Sequence, residues 1–351
     1  MADPRPRVWV SQPLFDDVVE RLGQYFDLDM TAEVTRYTPS QLAARLAAAD
    51  GALITLNERI GAAEIANAPR LRAIANVGVG YNNLDVDALS AAGILASNTP
   101  DVLTETTADL GFALLMAAAR RITESERWLR EGQWGQWSFR TMLGADIHGS
   151  TLGILGMGRI GQGIARRGAL GFGMRVLYHN RSRLPEATEA EVGATYVDLD
   201  TLLAQADHLV LVLPYSAASH HIIDAAALAK MKPGATLVNI ARGGIVDELA
   251  LADALANGRL AAAGLDVFDG EPTVRPELLA LRNVVLTPHI GSASQATRRA
   301  MVQLAVDNLT AALDKGPHAG RPPSAINADA VHAACAGAAF VGAKKTDDAK
   351  R

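Results

Sequence analysis

Three polar residues of this chain could act together as an acid/base catalyst with an anion clamp: Arg242, Glu271 and His289. Histidine suits proton transfer near neutral pH because its reference pKa is about 6.5. A neighbouring carboxylate would orient the imidazole, and a guanidinium can bind a substrate carboxylate through two parallel hydrogen bonds. Each residue type is common on turns, so the set alone also fits three unrelated surface positions.

A glycine-rich turn indicates what such a catalyst would work on. Residues 151–155 read as a buried strand, residues 156–161 have the pattern Gly-x-Gly-x-x-Gly, a helix extends to about residue 170, and residues 174–178 form a second strand. The glycines of such a unit allow a pyrophosphate to approach the backbone, and the helix N-terminus offers N–H groups to it. An isolated match could be a simple tight turn, but this context predicts dinucleotide binding at Gly156, Gly158, Arg159 and Ile160.

The turn after the second strand indicates which dinucleotide is bound. A carboxylate there would accept the ribose hydroxyl of NAD, whereas arginine suits the 2'-phosphate of NADP. This chain has His179-Asn180-Arg181-Ser182-Arg183, with two guanidiniums and no carboxylate. We therefore predict NADP(H), with Asn180, Arg181 and Ser182 lining the site. The alternative is a solvated basic turn that tolerates either cofactor, so NAD(H) remains possible.

Strands and helices alternate along most of the chain, which predicts an α/β fold. We expect two doubly wound parallel-sheet domains: a Rossmann cofactor domain at residues 100–291 and a smaller, flavodoxin-like substrate domain at residues 1–99 and 292–327. Residues 328–351 would be a mobile tail. Strands that end near Pro214, Ile240 and Thr287 would bring their polar turns together at the carboxyl edge of one sheet, where ligands bind in this architecture.

Two other segments are candidates for contacts. The loop Gly78-Val79-Gly80 follows a predicted strand, and its N–H groups could bind a substrate carboxylate, or its glycines could serve turn geometry alone. Residues 103–120 predict an apolar helix buried between domains or between subunits, which favours a homodimer. Trp134 and Trp137 follow on an apparent loop, where they could line an interface or pocket or cover the subunit's own core.

Composition excludes several classes of function. The chain has 351 residues, of which 49% are hydrophobic and 20% charged, as is ordinary for a globular enzyme. A formal net charge of -5 without a long basic run argues against a nucleic-acid or membrane partner. The single cysteine, Cys335, fits a reducing cytosol, and no spacing of histidines, cysteines and acids suggests a metal site. No leader or membrane segment is recognisable, so we expect a soluble, cytoplasmic protein.

Four motifs in order, GILGMGRIG, NIARGGIVDE, GLDVFDGEP and TPHIGS, resemble those of the D-isomer-specific 2-hydroxyacid dehydrogenases, over about residues 7–327. The resemblance implies that Arg242 binds the substrate's carboxylate and keto group, that His289 is the acid/base, and that Glu271 pairs with it. It also implies that Val79 and Gly80 hold the substrate carboxylate through backbone N–H groups. Further residues implied along the cofactor are Thr107, Leu213, Pro214, Ser219, Ile240, Ala241, Asp266 (on the carboxamide) and Gly291, and beside the substrate Leu56 and, from a neighbouring subunit, Trp137.

Within this family, VGVGYNNLDVDA and PDVLTETTADLGFALL are similar to glyoxylate/hydroxypyruvate reductases and 2-ketogluconate reductases. We therefore expect NADPH-dependent reduction of small 2-keto acids, with 2-keto-D-gluconate reduction as the alternative. A remote alternative is a cofactor-sensing interaction protein, like the C-terminal-binding corepressors that share this fold. One departure from the family pattern is Asp109, where relatives usually have Glu, and the sequence offers no functional account of it.

Overall fold

The computed structural model describes residues 5–333, which form two compact units, residues 5–103 with 294–333, and residues 104–293. The expected α/β class with two parallel-sheet domains is confirmed, because one unit contains a five-stranded parallel sheet and the other a seven-stranded one. The sequence suggested divisions after residues 99 and 291, and the units change after residues 103 and 293. Most of the predicted mobile tail, with Cys335, lies outside the described residues.

The strands and helices alternate in chain order. The strands are β1 (Arg7–Val10), β2 (Asp27–Met30), β3 (Gly51–Ile54), β4 (Ala73–Asn76), β5 (Leu95–Ser97), β6 (Thr151–Leu155), β7 (Arg175–His179), β8 (Thr195–Tyr196), β9 (His208–Leu211), β10 (Ala235–Asn239), β11 (Leu260–Leu265) and β12 (Val284–Leu286). The helices are α1 (Asp16–Gly23), α2 (Pro39–Ala47), α3 (Ala62–Ile65), α4 (Val86–Ala91), α5 (Thr104–Ala119), α6 (Ile122–Arg130), α7 (Arg159–Arg166), α8 (Glu186–Ala190), α9 (Leu199–Gln205), α10 (Ala225–Lys230), α11 (Glu248–Ala256), α12 (Pro276–Leu279) and α13 (Gln295–Ala312).

Strand order places the ligand-binding edge of each sheet. The smaller sheet has the order β2-β1-β3-β4-β5, which is the flavodoxin-like order, and the larger has β12-β11-β10-β9-β6-β7-β8, which extends the Rossmann order by one strand. The order reverses between β1 and β3 in one sheet and between β6 and β9 in the other. Ligands of such sheets bind beyond the carboxyl ends of the strands at the reversal. Every residue of β3, β4, β9 and β10 is buried, as expected for strands covered on both faces.

Helix α13 completes the first unit although it comes from the far end of the chain. Its buried residues, with those of α1, form one core with the inward side chains of β1, β3 and β4. The end of α13 lies close to β3 at Gly51, where a Cβ would lie 2.8 Å from Leu313 Cδ1. The second core of this unit lies on the opposite face of the sheet, around the fully buried Trp9.

Helix α5 packs on the sheet of its own unit, which corrects the interpretation of its apolar sequence. A Cβ on Gly111 would lie 2.7 Å from Ile240 Cδ1, and one on Gly264 would lie 3.1 Å from Leu114 Cβ. Because the apolar residues of α5 are used inside the unit, the helix gives no argument for a homodimer. Asp109, on its exposed face, accepts a hydrogen bond of 2.8 Å from Arg167 Nε. This residue therefore links α5 to the end of α7.

Several short elements were not predicted. The helix after the glycine turn ends at Arg166 rather than near residue 170, and residues 167–171 form a π-helical turn. Strand β2 was missed because its sequence, DLDM, carries two acids, and one of them, Asp29, binds Arg7 and Arg45. Strand β8 and helices α8, α9, α10 and α12 were also missed, and none of them exceeds seven residues. Among residues 5–333, no helix has the length and apolarity needed to cross a membrane.

Candidate active site

The glycine-rich turn between β6 and α7 is shaped by its first and third glycines. Gly156 has φ 102°, a left-handed conformation that favours glycine, and a Cβ there would lie 2.6 Å from the backbone nitrogen of Leu213. A Cβ on Gly161 would collide with the carbonyl oxygen of Gly156. Both positions therefore require glycine, so that the turn stays closed against β6 and the end of β9.

The second glycine leaves room for a ligand. A Cβ on Gly158 would meet nothing within 4 Å, so the backbone faces open space directly before α7. Helix α7 begins at Arg159 without a hydrogen bond from a capping side chain. An N-terminus of this kind binds phosphate through N–H groups and the helix dipole. The four predicted phosphate-binding residues, Gly156, Gly158, Arg159 and Ile160, thus lie at a turn that fits a dinucleotide pyrophosphate.

The basic turn after β7 is tied to the glycine-rich turn through Asn180. The Asn180 side-chain oxygen accepts a hydrogen bond of 2.6 Å from the N–H of Met157. Arg181 and Ser182 follow it and are exposed. Arg183, however, forms an ion pair of 2.7 Å with Glu189, so the expectation of two available guanidiniums is wrong for Arg183. Arg181 has no ion pair within residues 5–333, so its guanidinium is not engaged in the way that of Arg183 is.

A buried network fixes the shape of this basic turn. The Tyr178 hydroxyl donates to Glu189 (2.6 Å) and accepts from the N–H of Leu184 (2.8 Å). The Arg183 guanidinium and then the Tyr178 hydroxyl lower the pKa of Glu189 to about 2, and burial followed by the Glu189 carboxylate raises the pKa of Tyr178 to about 12. At neutral pH the carboxylate is therefore ionised and the phenol protonated, which keeps the network intact.

Arg242 lies on a turn that Asn239 fixes. The Asn239 amide donates to the carbonyl of Arg242 (2.9 Å), and its oxygen accepts from the N–H of Ala241 (3.0 Å). A Cβ on the next residue, Gly243, would collide with the backbone of Phe268, so this turn lies directly against the turn that follows β11. Burial lowers the pKa of Arg242, and the negative charge of Glu271 opposes that change. Arginine remains protonated in proteins, so the turn carries a half-buried cation.

The structure brings together Glu271 and His289, the two residues that the sequence suggested as an acid/base pair. His289 Nδ1 lies 2.8 Å from Glu271 Oε2, and Glu271 Oε1 accepts a hydrogen bond of 2.9 Å from the N–H of Phe268. Burial alone would raise the pKa of Glu271, but the hydrogen bond from His289, the charges of His289 and Arg242 and the Phe268 N–H lower it below its usual value. An ionised carboxylate accepts from Nδ1–H and leaves Nε2 for proton transfer.

Asp266 holds the turn that carries His289. Its carboxylate accepts hydrogen bonds from the Thr287 hydroxyl (2.6 Å) and from the N–H groups of Ile290 and Gly291 (both 2.8 Å). His289 itself has φ 52°, a left-handed conformation that is uncommon for a residue other than glycine. Burial raises the pKa of Asp266, although these donors oppose the change. The strained conformation of His289 is thus maintained by a buried acceptor.

The remaining predicted cofactor residues lie around this turn and the end of β9. A Cβ on Gly291 would lie 3.3 Å from both Asp266 Oδ2 and Thr107 Cγ2, so these three residues are together. Leu213 and Pro214 follow β9, and the buried Ser219 donates its hydroxyl to the carbonyl of Pro214 (3.2 Å). Ser219 therefore supports the turn from within. Ile240 and Ala241 are both buried in the cores of the unit.

The predicted substrate residues of the first unit lie at the ends of β3 and β4. Leu56 is 39% exposed, and Val79 and Gly80 are partly exposed. Neither Gly78 nor Gly80 is among the glycines with positive φ in residues 5–333, so turn geometry alone does not explain them. In the second unit, Trp134 and Trp137 are 55% and 67% exposed and do not cover the core.

Three residues that sequence reasoning missed shape these turns: Asn239, Thr287 and Asn98. Asn98 donates to the carbonyl of Val79 (2.8 Å). Asparagine or threonine at a strand end, next to a glycine or proline turn, is a recognisable signal, because these side chains bond to nearby backbone. No group of three or more histidines, cysteines and acids that could hold a metal occurs in residues 5–333.

Comparison with known proteins decides the family. Residues 112–291 match the family described as D-isomer specific 2-hydroxyacid dehydrogenase, NAD binding domain. The "Glyoxylate reductase" of Thermococcus kodakarensis is 43% identical over 331 residues, which cover 93% of this chain and 98% of the relative. The chain belongs to the D-isomer-specific 2-hydroxyacid dehydrogenase family. It is therefore an oxidoreductase, and its second unit contains the nicotinamide-cofactor domain of that family.

Two other members of the family extend the comparison. The "Glyoxylate/hydroxypyruvate reductase B" of Klebsiella pneumoniae is 45% identical over 311 residues, 88% of this chain and 96% of the relative. An NADPH-dependent glyoxylate/hydroxypyruvate reductase from Sinorhizobium meliloti, solved in complex with NADP and malonate, superposes with a TM-score of 0.80. Its identity is 36%, and the match covers 92% of this chain and 97% of that one.

Proposed function

We propose that this dehydrogenase reduces small 2-keto acids, such as glyoxylate and hydroxypyruvate, to D-2-hydroxy acids with NADPH. The observation that carries the proposal is the 2.8 Å contact between His289 Nδ1 and Glu271, on a turn packed against the turn of Arg242. An oriented imidazole beside a fixed guanidinium provides a proton donor and a carboxylate clamp. The names of the relatives support the choice of substrates.

The roles of the residues follow from the chemistry of carbonyl reduction. The reduced nicotinamide, when bound, supplies the hydride that adds to the keto carbon. The proton that the oxygen then needs comes from His289 Nε2, since Nδ1 faces Glu271. Arg242 binds the substrate carboxylate and stabilises the negative charge that develops on the oxygen. In the first unit, Val79 and Gly80 offer their N–H groups to a substrate carboxylate. After the transfer, solvent returns a proton to the imidazole.

The preference for NADP(H) rests on the basic turn after β7. Arg181 and Ser182 are exposed at the strand end where an NAD enzyme would place a carboxylate. The related Sinorhizobium meliloti reductase is described as NADPH-dependent, and NADP is present in its structure. With Arg183 engaged by Glu189, one guanidinium contributes to the preference, so NAD(H) remains usable.

The two alternatives gain no support from the comparisons. The relatives described above are named for glyoxylate or hydroxypyruvate, so they do not favour 2-keto-D-gluconate as the substrate. A cofactor-sensing interaction protein would not need a carboxylate on the imidazole, yet His289 and Glu271 are paired.

Steady-state kinetics on glyoxylate, hydroxypyruvate and 2-keto-D-gluconate, each with NADPH and NADH, test the proposal. We expect the highest kcat/KM for one of the two small acids with NADPH. His289→Ala should lower kcat strongly while NADPH binding, followed by fluorescence, stays unchanged. A higher kcat/KM on 2-keto-D-gluconate would reverse the choice of substrate, and no turnover with any of the three would contradict the assignment.

We also propose a homodimer, on grounds different from those of the sequence. Six apolar side chains of α6 and of the segment between α6 and β6 are at least half exposed: Ile122, Leu129, Trp134, Trp137, Phe139 and Leu143. Exposed apolar surface of this extent favours a protein partner. Trp137 is part of this exposed surface, and we propose that in the dimer it contacts the substrate of the neighbouring subunit. Light scattering should give twice the chain mass of 37.0 kDa, and the single-chain mass would contradict the dimer.

A further inference from the structure

Three consecutive carbonyl groups of the loop after β4 are held by hydrogen bonds from the protein. The Gly78 carbonyl accepts from the N–H of Thr99 (2.9 Å), the Val79 carbonyl from Asn98 Nδ2 (2.8 Å), and the Gly80 carbonyl from Asn76 Nδ2 (3.0 Å). In a trans peptide the N–H points opposite to the carbonyl of the same peptide plane. The hydrogen bond from Thr99 to the Gly78 carbonyl therefore points the Val79 N–H away from Thr99. The hydrogen bond from Asn98 to the Val79 carbonyl likewise points the Gly80 N–H away from Asn98.

The two N–H groups that result are available for an anion. Among residues 5–333, neither the N–H of Val79 nor that of Gly80 donates to another protein group. Both residues are partly exposed. A row of outward N–H groups on a loop binds a carboxylate or another oxyanion. The orientation of each N–H thus depends on the group that holds the preceding carbonyl.

Asn98 is fixed from a different part of the chain. Its own carbonyl accepts hydrogen bonds from Asn308 Nδ2 (3.2 Å) on α13 and from the Ser324 hydroxyl (2.7 Å). The side chain is 8% exposed, and its amide nitrogen must face Val79 because a carbonyl can only accept. Helix α13 therefore determines where the Asn98 donor lies.

Asn76 is fixed by a second network. Its side-chain oxygen accepts from Asn83 Nδ2 (3.2 Å), and the same Asn83 nitrogen donates to the carbonyls of Thr55 (3.1 Å) and Glu58 (3.0 Å). Because those backbone carbonyls can only accept, the Asn83 nitrogen must face them and Asn76 must present its own nitrogen to Gly80. Asn76 is completely buried, so this arrangement excludes water as a replacement.

We propose that Asn98 is a positioning residue for substrate recognition, which directs the Gly80 N–H toward the carboxylate of the 2-keto acid, while Asn76, through the Gly80 carbonyl, holds the far end of the same loop. The inference rests on the proposed function and assigns a role to Asn98, a buried residue outside the predicted site residues. Without the Asn98 donor, the Val79–Gly80 peptide can rotate about its flanking bonds, and the Gly80 N–H no longer has a fixed direction. Such a loss weakens carboxylate binding and leaves cofactor binding, which uses the other unit, unchanged.

The variant Asn98→Leu removes the donor while keeping the branched shape and the number of side-chain heavy atoms, and it adds no charge. Asn327→Leu is the matched control, because Asn327 is also a buried amide of the first unit and donates to Ile94 and Ser90 (both 3.0 Å), away from this loop. Binding of oxalate, measured by calorimetry with saturating NADP+, reports carboxylate recognition without turnover. We expect a loss of about tenfold to a hundredfold in oxalate affinity for Asn98→Leu, as for one charge-assisted hydrogen bond, and none for Asn327→Leu.

Kinetics on glyoxylate provide the second measurement. The KM for glyoxylate should rise in Asn98→Leu by a factor similar to the loss of oxalate affinity, with the KM for NADPH unchanged. If Asn98→Leu does not fold, Asn98→Asp, which keeps the size but cannot donate when ionised, takes its place with Asn327→Asp as its control. Oxalate affinity that is unchanged in the Asn98 variant, or lowered equally in the Asn327 control, overturns the inference.

The failure of the proposed function would give a different result. If the wild-type protein binds oxalate but reduces no 2-keto acid, the proposed reaction is wrong. The positioning role is then tested by the oxalate affinities of the variants alone. A wild-type protein that reduces glyoxylate while Asn98→Leu matches it in both measurements contradicts only the positioning roles. A wild-type protein that does not bind oxalate contradicts the carboxylate site itself, and the inference with it.

Discussion

Replacing Glu271 by Gln tests the pairing on which the proposed reaction depends. The substitution keeps the shape of the side chain but removes the negative charge and leaves one acceptor oxygen, which can serve either His289 Nδ1 or the Phe268 N–H but not both. We expect the fold to persist and the reduction of glyoxylate to slow, because the imidazole is then held by a neutral contact.

The size of the effect follows from the geometry. The 2.8 Å contact joins an ionised carboxylate to the imidazole, and a hydrogen bond to a charged group contributes about 1.5–3 kcal/mol. His289 and Glu271 are 27% and 25% exposed, so solvent screens part of the charge and the lower end of that range applies. A neutral hydrogen bond is roughly half as strong. At the lower end the difference between the charged and the neutral hydrogen bond is about 0.8 kcal/mol, which corresponds to a fall of roughly fourfold in kcat/KM.

The assay is kcat/KM for glyoxylate with NADPH, compared between wild type and Glu271→Gln across pH. Because the pKa of Glu271 lies below its usual value of 4.5, the carboxylate stays ionised above that pH and becomes protonated only as the pH falls further. The contribution of the ionised Glu271 to kcat/KM is therefore complete at neutral pH and is lost as the pH falls below 4.5. The ratio of the wild-type to the variant kcat/KM should therefore be larger at neutral pH than below pH 4.5, where the wild-type carboxylate becomes protonated.

Glu248→Gln is the matched control for this experiment. Glu248 is buried and accepts a hydrogen bond of 2.7 Å from the N–H of Asp269 in the same turn, without a hydrogen bond to His289. An equal loss of activity in both variants would show that the effect comes from a disturbed turn and not from the loss of the Glu271 charge beside His289. Wild-type activity in Glu271→Gln would refute the role of the pair.

Three further changes test the cofactor unit. Gly156→Ala should destabilise the protein by more than about 1 kcal/mol and abolish NADPH fluorescence enhancement, because its Cβ would lie 2.6 Å from the nitrogen of Leu213 at a positive φ; an unchanged melting temperature would contradict this. Arg181→Ala should raise the KM for NADPH about tenfold and leave that for NADH unchanged, and equal changes in both would remove Arg181 from the phosphate site. Glu189→Gln should lower the melting temperature at neutral pH. The difference in melting temperature from wild type should shrink as the pH falls from 4.5 toward the Glu189 pKa of about 2, because the protonated carboxyl no longer forms an ion pair with Arg183. A difference that persists in acid would contradict this explanation.

The parts of the fold that could be predicted are those with a local pattern. The glycine-rich turn required glycine at two positions for reasons visible in the sequence, and β6 begins and ends at the predicted residues. The apolar sequence of α5 indicated burial but not its partner, because a sequence does not show which sheet a helix covers. Strand β8 has only two residues and was missed because its pairing with β7, rather than its composition, defines it.

Less of the candidate site could be predicted. Motif order suggested Arg242, Glu271 and His289, and the structure adds the 2.8 Å contact between His289 Nδ1 and Glu271. The ion pair of Arg183 with Glu189 was missed because each residue alone is typical of a solvated turn. Folding brings the two together across the first turn of a short helix, and only the structure shows that this cation is not available to a phosphate.

The turns that carry the proposed chemistry share a form of support that the sequence does not show. Each is held by at least one buried polar side chain at a strand end: Asn239 holds the Arg242 turn, Asp266 the His289 turn and Asn98 the Val79–Gly80 loop. A buried polar group is stable only when its hydrogen bonds are satisfied, so each of these side chains permits one conformation of its turn. The partners of Asn98 lie more than 200 residues further along the chain, which puts the support beyond any local pattern. Where such a side chain stabilises its turn and not the core, we expect its replacement to lower substrate affinity while the protein still folds.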